Sequence, residues 1–290
     1  MDYELYHDES KIDGFWHGML LVPTEQKTYL VELLNRAREV CKYHEPMGIK
    51  HIKKRKRIFK CAQAWVSIGF AALRSSTKGI ACPISLGNWD NYVTHPLCKM
   101  SKFLLFREKG NLQNLNNFPD YGSKVETTFR FGLKGGVHAL FDEMTPINIT
   151  KFHFDGYEHY ARHIDKNRIV NRLYGLRDYF SISDQIEDQS SDHNLINSQA
   201  YEDCQLLQLT DLLIGCFRSA LGHYTRPLHL DLARPARYYL KESAKGYARM
   251  SNSRWFNSIW LSQCYLYQGS WFFEPLDITY KDSYEQTTLF

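Results

Sequence analysis

The chain has 290 residues, 43% of them hydrophobic, and a formal net charge of +4; this is enough apolar mass for a large core and excludes global disorder, while the mild positive balance permits a nucleic-acid partner without requiring one. Seven cysteines, scattered with no C-x-x-C pair, argue against a disulfide framework or a zinc knuckle and for free thiols in a reducing compartment. Residues 1–5 lack the basic and apolar regions of a signal peptide, and no run of about 18 apolar residues exists, so the expectation is a cytoplasmic protein with no membrane partner.

Residues 3–8 read as a short strand ending at Asp8-Glu9-Ser10, with 15–22 as its hairpin partner across the turn at 11–14. Thr24 is a candidate N-cap for a helix to about Tyr43, along which Leu30, Leu33, Leu34, Ala37 and Val40 repeat at helical spacing. A basic block, Lys50-His51-Ile52-Lys53-Lys54-Arg55-Lys56-Arg57, leads into a helix from about Lys56 to Arg74. Residues 79–86 suggest a strand kept near an edge by Pro83. The stretch 87–123, rich in Asn, Gly and Pro around Phe103-Leu104-Leu105-Phe106, is expected to be an insertion.

A helix is predicted over 124–143, then a strand over 149–154 that delivers Asp155 at its C-terminal end before Gly156 breaks it. A helix to about Arg177, a strand at 178–183, a polar loop at 184–198 and a helix over 199–221 follow. The alternation of strands and helices indicates an α/β fold with a mixed sheet and flanking helices. Beyond 221 lie two aromatic segments, Trp255–Trp260 and Tyr265–Phe273. They read as a C-terminal extension (222–290) packed on the core, and as a contact for a second copy or a protein partner.

The helix Leu206-Leu207-Gln208-Leu209-Thr210-Asp211-Leu212-Leu213-Ile214-Gly215 is apolar on nearly every face, with one carboxylate at its middle. A charge in such a helix needs compensation, and a bound cation is one form of it. Asp8 and Asp155 each end a core strand, so three acids remote in sequence suggest a metal site assembled by the fold. Carboxylate oxygens suit hard cations, Mg²⁺ or Mn²⁺. Each acid also has a plainer reading: a strand-ending turn for Asp8, a turn or helix cap for Asp155-Gly156, a core ion pair for Asp211. Glu9 joins Asp8 as a catalytic candidate only if the strand breaks between them, because successive strand residues point to opposite faces. Glu202 and Asp203 read as a solvated helix face, and His153 as structural. The basic block holds seven Lys or Arg in eleven positions, 50–60. Lys50, Lys53, Lys54, Arg55, Lys56 and Arg57 are therefore candidates for phosphate contact, against the alternative of a solvated helix start.

These residues resemble a family. Tyr6-His7-Asp8-Glu9-Ser10 resembles the opening Y-x-D-E-S motif of the DUF3800 proteins. The 206–215 segment resembles their closing L-Q-L-A/T-D-L-L-x-G motif. Phe152-His153-Phe154-Asp155 stands where that family has a strand ending in aspartate. The resemblance spans residues 3 to about 220. It implies an RNase H-like core over 1–221, in which the first strand lies beside the fourth, and a metal-dependent nuclease using Asp8, Asp155 and Asp211 on DNA or RNA. Two positions depart from the pattern: Gly48 stands where a glutamate usually precedes I-K, and Lys11 where glycine often follows D-E-S. The first departure motivates a second expectation, a catalytically eroded protein that binds nucleic acid or serves as a regulatory module.

Overall fold

The computed structural model describes residues 1–11, 14–73, 101–109, 121–141, 147–155, 180–182, 186–189, 200–223, 226–246, 257–276 and 278. The chain opens with the hairpin β1 (Asp2–Ser10) and β2 (Phe15–Pro23). A 3-10 turn leads into α1 (Lys27–Cys41), which stops where Lys42 turns left-handed at φ 49°. A second 3-10 turn at Ile49–His51 precedes α2 (Arg57–Ala72). Then come β3 (Lys102–Glu108), α3 (Tyr121–Leu140), β4 (Ile147–Asp155), β5 (Phe180–Ile182), β6 (Ile186–Gln189) and α4 (Tyr201–Ala220). Two helices, α5 (Pro227–Leu232) and α6 (Arg234–Ala244), lead to a closing hairpin, β7 (Ile259–Tyr267) and β8 (Ser270–Pro275).

The strands form one mixed sheet in the order β5-β4-β1-β2-β3-β7-β8, with β6 pairing β4 beside β5. β1 pairs β2 and β2 pairs β3 antiparallel, whereas β4 runs parallel to β1, β5 parallel to β4 and β7 parallel to β3. The α/β class with flanking helices follows directly. Alternation along β1 sorts its side chains: Tyr6 packs among α1, α2 and α4, while Tyr3 and Leu5 pack on the other side with Phe129 and Leu133 of α3.

Two readings change. Phe103-Leu104-Leu105-Phe106, placed in the expected insertion at 87–123, is fully buried in β3, between β2 and β7. Part of the polar 184–198 loop is β6, where main-chain pairing with β4 outweighs a sequence of low strand propensity. Beyond residue 257, Ile259–Tyr267 and Ser270–Pro275 pair as β7 and β8 and extend the sheet by hydrogen bonding, with Tyr267, Phe272 and Phe273 exposed. The expected strand at 79–86 and helix at 156–177 lie outside the described residues. Cys41, Cys61, Cys204, Cys216 and Cys264 are free thiols. No helix among the described residues is long and apolar enough to cross a membrane.

α4 positions the site. Every residue from Asp203 to Ser219 is buried except Asp211, the single partly open position in that run. The helix travels along β1: the Tyr6 hydroxyl donates to Asp203 Oδ1 at 2.9 Å near one end, and Arg218 donates to Ser10 Oγ near the other. Glycines permit the close approach. A Cβ on Gly18 would lie 2.2 Å from Ile214 Cγ1, and one on Gly215 2.5 Å from Ile49 Cγ1.

Candidate metal and nucleic-acid site

The three aspartates predicted from sequence lie on adjacent elements at one end of the sheet. β1 and β4 pair in parallel up to His7 and Phe154, so Asp8 and Asp155 are the next residues on neighbouring strands. Strands so paired stand about 4.8 Å apart. Asp155 closes β4, opposite Gln189 of β6. Asp8 is buried, faces Gly18 across the hairpin, and accepts the Glu9 backbone N–H on Oδ1 at 2.7 Å. Ile214 and Thr210 of α4 lie over that same Gly18, which brings Asp211, one residue past Thr210, to the level of Asp8.

Asp211 does not stand alone. Its Oδ2 accepts the Ile49 backbone N–H at 2.7 Å. Burial pushes its carboxyl above the usual carboxylate range, opposed by that N–H and by the charges of Lys50, His51 and Arg218. Sequence reasoning treats it as an enclosed charge, whereas the structure leaves it partly open. Gly48 borders it too: a Cβ there would lie 3.0 Å from Asp211 Oδ2.

The loop carrying Gly48 and Ile49 is held by one buried arginine. Arg38 donates from Nε to Gln205 Oε1 at 2.8 Å, from Nη2 to Gln208 Oε1 at 2.9 Å and from Nη1 to the Glu45 carbonyl at 2.7 Å, and its guanidinium lies over Trp65. Gln208 Oε1 also accepts the Met47 N–H at 2.7 Å. α1 and α4 thus fix the loop that touches Asp211. The same loop runs straight into the basic block, where Lys50, Lys53, Lys54, Arg55, Lys56 and Arg57 are all exposed.

Glu9 goes elsewhere. Pairing of β1 with β2 runs in unbroken register through Asp8 and Glu9, so Glu9 lies on the face opposite Asp8, and its carboxylate pairs with Lys11 at 3.1 Å. On that face His7 and His17 share a hydrogen bond at 3.0 Å, and His17 Nε2 lies 2.8 Å from Thr128 Oγ1 of α3. Burial lowers His7 to about 3 and His17 well below its ordinary value, so both rings are neutral.

A second group, between the sheet and α4, escapes sequence reasoning. Glu4, His153 and Asp203 place ligand atoms within 4.8 Å of one another, close enough to hold a metal ion. The Lys27 ammonium already sits between two of them, 2.9 Å from Glu4 and 2.6 Å from Asp203. The Tyr6 hydroxyl lies 2.8 Å from Glu4 and 2.9 Å from Asp203, its one proton shared between the two carboxylates, and His153 Nε2 lies 2.9 Å from Glu4 with its ring stacked on Tyr6. Burial opposes ionisation of Glu4, yet the hydrogen bonds from His153, Lys27 and Tyr6 outweigh it and hold the carboxyl at about 2, against an ordinary 4.5. Burial and the two neighbouring carboxylates push Tyr6 well up. The arrangement is an internal ion-pair network in which an ammonium supplies the positive charge. Asp203, expected on a solvated face, is buried at its centre. The available signals were Glu4 sharing a strand face with Tyr6 and Asp8, and a lysine at the first position of a helix, where its charge opposes the helix dipole.

Comparison of the chain with protein-family models, with curated proteins and with solved structures found no match.

Proposed function

We propose that the protein is a metal-dependent nuclease with an RNase H-like core, hydrolysing phosphodiester bonds of DNA or RNA. The observation that carries this reading is the juxtaposition of Asp8 and Asp155 at the ends of paired parallel strands, with Asp211, the one partly open residue between Asp203 and Ser219 of α4, at the same level. The strand order β3-β2-β1-β4-β5 supports it, since an RNase H-like sheet sets its first strand between an antiparallel second and a parallel fourth. So does the resemblance of the Asp8 and Asp211 segments to the DUF3800 motifs.

The donor set suits a hard divalent cation: all are carboxylates, and burial drives Asp211 toward protonation unless positive charge offsets it. Asp8, Asp155 and Asp211 would hold Mg²⁺ or Mn²⁺, which when bound supplies activation of water and stabilisation of the leaving oxygen. The chain's own residues do the rest. Ile49 N–H orients Asp211, Arg38 braces the loop behind it, and the cations from Lys50 to Arg57 grip the phosphate backbone beside the acids. Glu9, paired with Lys11, has no direct part in this scheme.

The test is cleavage of labelled DNA and RNA with Mn²⁺ or Mg²⁺. Asp8→Asn and Asp211→Asn should each lose at least about 10²-fold in rate while melting near the wild-type temperature. A wild-type protein that cleaves neither polymer with either ion, or an Asp211→Asn protein that cleaves normally, overturns the proposal.

One observation favours a second reading, a nucleic-acid-binding module on the same core. Gly48 brings no side chain to the position bordering Asp211, where the DUF3800 pattern has a glutamate. This reading expects nucleic-acid binding that chelation leaves unchanged, together with no uptake of Mn²⁺ by calorimetry.

A further inference from the structure

The basic block does not end at α2. Helix α5 is bound to it: His229 Nε2 donates to the Ile52 carbonyl at 2.9 Å, and Asp231 accepts Arg55 on one carboxylate oxygen and Arg234 on the other, the latter at 3.1 Å. Arg234 opens α6. That helix buries Ala236, Tyr239 and Leu240 against α4 and α2, and exposes Arg234, Tyr238 and Lys241, with Lys245 exposed at its C-cap. These four stand at i, i+4, i+7 and i+11, a single stripe about 16 Å long at the helical rise.

We infer that the outer face of α6 is the second half of a nucleic-acid-binding surface, on which Arg234, Lys241 and Lys245 take the phosphodiester backbone that the segment from Lys50 to Arg57 grips. This rests on the reading that the protein engages nucleic acid, and not on hydrolysis. Three observations select that partner. The acid lying between the two basic elements, Asp231, is paired with an arginine on each side, so it joins them instead of repelling a polyanion. The cations extend over two elements, matching a partner that carries a charge every ~1.7 Å of its length. A membrane surface fits poorly, because the apolar side of α6 is turned into the protein and Tyr238 is the one aromatic on its exposed stripe. A tyrosine among cations instead suits a nucleotide chain, whose bases stack on aromatic rings.

The test is fluorescence anisotropy in EDTA, with a labelled DNA duplex and a labelled single strand of the same sequence, across a salt series. The Lys241→Gln/Lys245→Gln protein leaves the Asp231 bridge intact. It should bind at least one of the two probes on the order of tenfold more weakly at low salt. Its slope of log K against log salt should be shallower by about 1.8 on duplex or about 1.4 on single strand, the value for two lost phosphate contacts. Lys241→Glu/Lys245→Glu should weaken binding further, and both proteins should melt like wild type because the replaced side chains are exposed. If the glutamine variant binds both probes with wild-type affinity and slope while Lys53→Gln/Lys54→Gln binds weakly, α6 has no part in the surface and the nucleic-acid reading survives. If wild type binds neither probe, or prefers phosphatidylserine vesicles to both, the inference and that reading fall together.

Discussion

Replacing Lys27 with Met tests whether the network between β1, β4 and α4 depends on its ammonium. The change leaves Glu4 and Asp203 facing each other with side chains only 7% exposed and no lysine between them. Removing one partner from a buried ionic group costs about 3–5 kcal/mol. Two terms reduce that figure: Lys27 is itself 13% exposed, and a cation at the start of α1 opposes the helix dipole by about 0.3–1 kcal/mol. The net expectation is a loss of about 2–4 kcal/mol, or roughly 5–12 °C in melting temperature for a chain of this size. Calorimetry at neutral pH reads it. The acid limb gives an independent readout. Folding holds the Glu4 carboxyl at about 2 against 4.5, so its contribution, about 3 kcal/mol, is complete above pH 4.5 and disappears as the pH falls toward 2. Without Lys27 that carboxyl rises, and acid unfolding should begin at higher pH. Neutralising the acids as well, in Lys27→Met/Glu4→Gln/Asp203→Asn, should recover much of the loss. A Lys27→Met protein melting within about 2 °C of wild type, with an unchanged acid limb, refutes the reasoning.

Two further outcomes follow from the loop beside Asp211. Arg38→Lys keeps the charge but not the fork, removing the guanidinium donors from Gln205 Oε1 and the Glu45 carbonyl; it should cost about 2–4 kcal/mol and speed amide exchange at Met47 and Ile49, as hydrogen-exchange mass spectrometry would report. Exchange at wild-type rates would show that the loop is held by other contacts. Gly48→Glu is compatible with the extended backbone there (φ −168°, ψ 151°) and sets a carboxylate beside Asp211. The variant should melt lower than wild type in EDTA through like-charge repulsion, by about 1–2 kcal/mol, and gain more than wild type from added Mn²⁺. Equal Mn²⁺ responses would remove Gly48 from the site.

Much of the frame is readable from residues alone, because its elements carry strong periodic signals. The 15–22 run, the Leu30-Leu33-Leu34-Ala37 stripe and the apolar helix around Asp211 each appear where expected. β3 was hidden because its four apolar residues sit between Asn- and Gly-rich flanks, and only β2 and β7 on either side make it central. β6 was hidden because Ile186-Glu187-Asp188-Gln189 is polar and owes its form to β4. The adjacency of Asp8 and Asp155 depends on strand order, which no local pattern encodes. The Lys27 network was hard to read for the same reason: Glu4, Lys27, His153 and Asp203 carry only weak signals one at a time, and their meeting is a property of how two strands and two helices cross.

The parallel pairing of β3 with β7 has a consequence for biosynthesis. Phe103 aligns with Ile259, so the β3 edge that β7 covers stays unpaired by it until Ile259 and the residues after it have emerged from the ribosome. An exposed strand edge invites pairing with another nascent molecule. Polypeptides ending before Ser258 should therefore precipitate on expression even though they retain Asp8, Asp155 and Asp211, and holdase chaperones should associate with the growing chain during that interval.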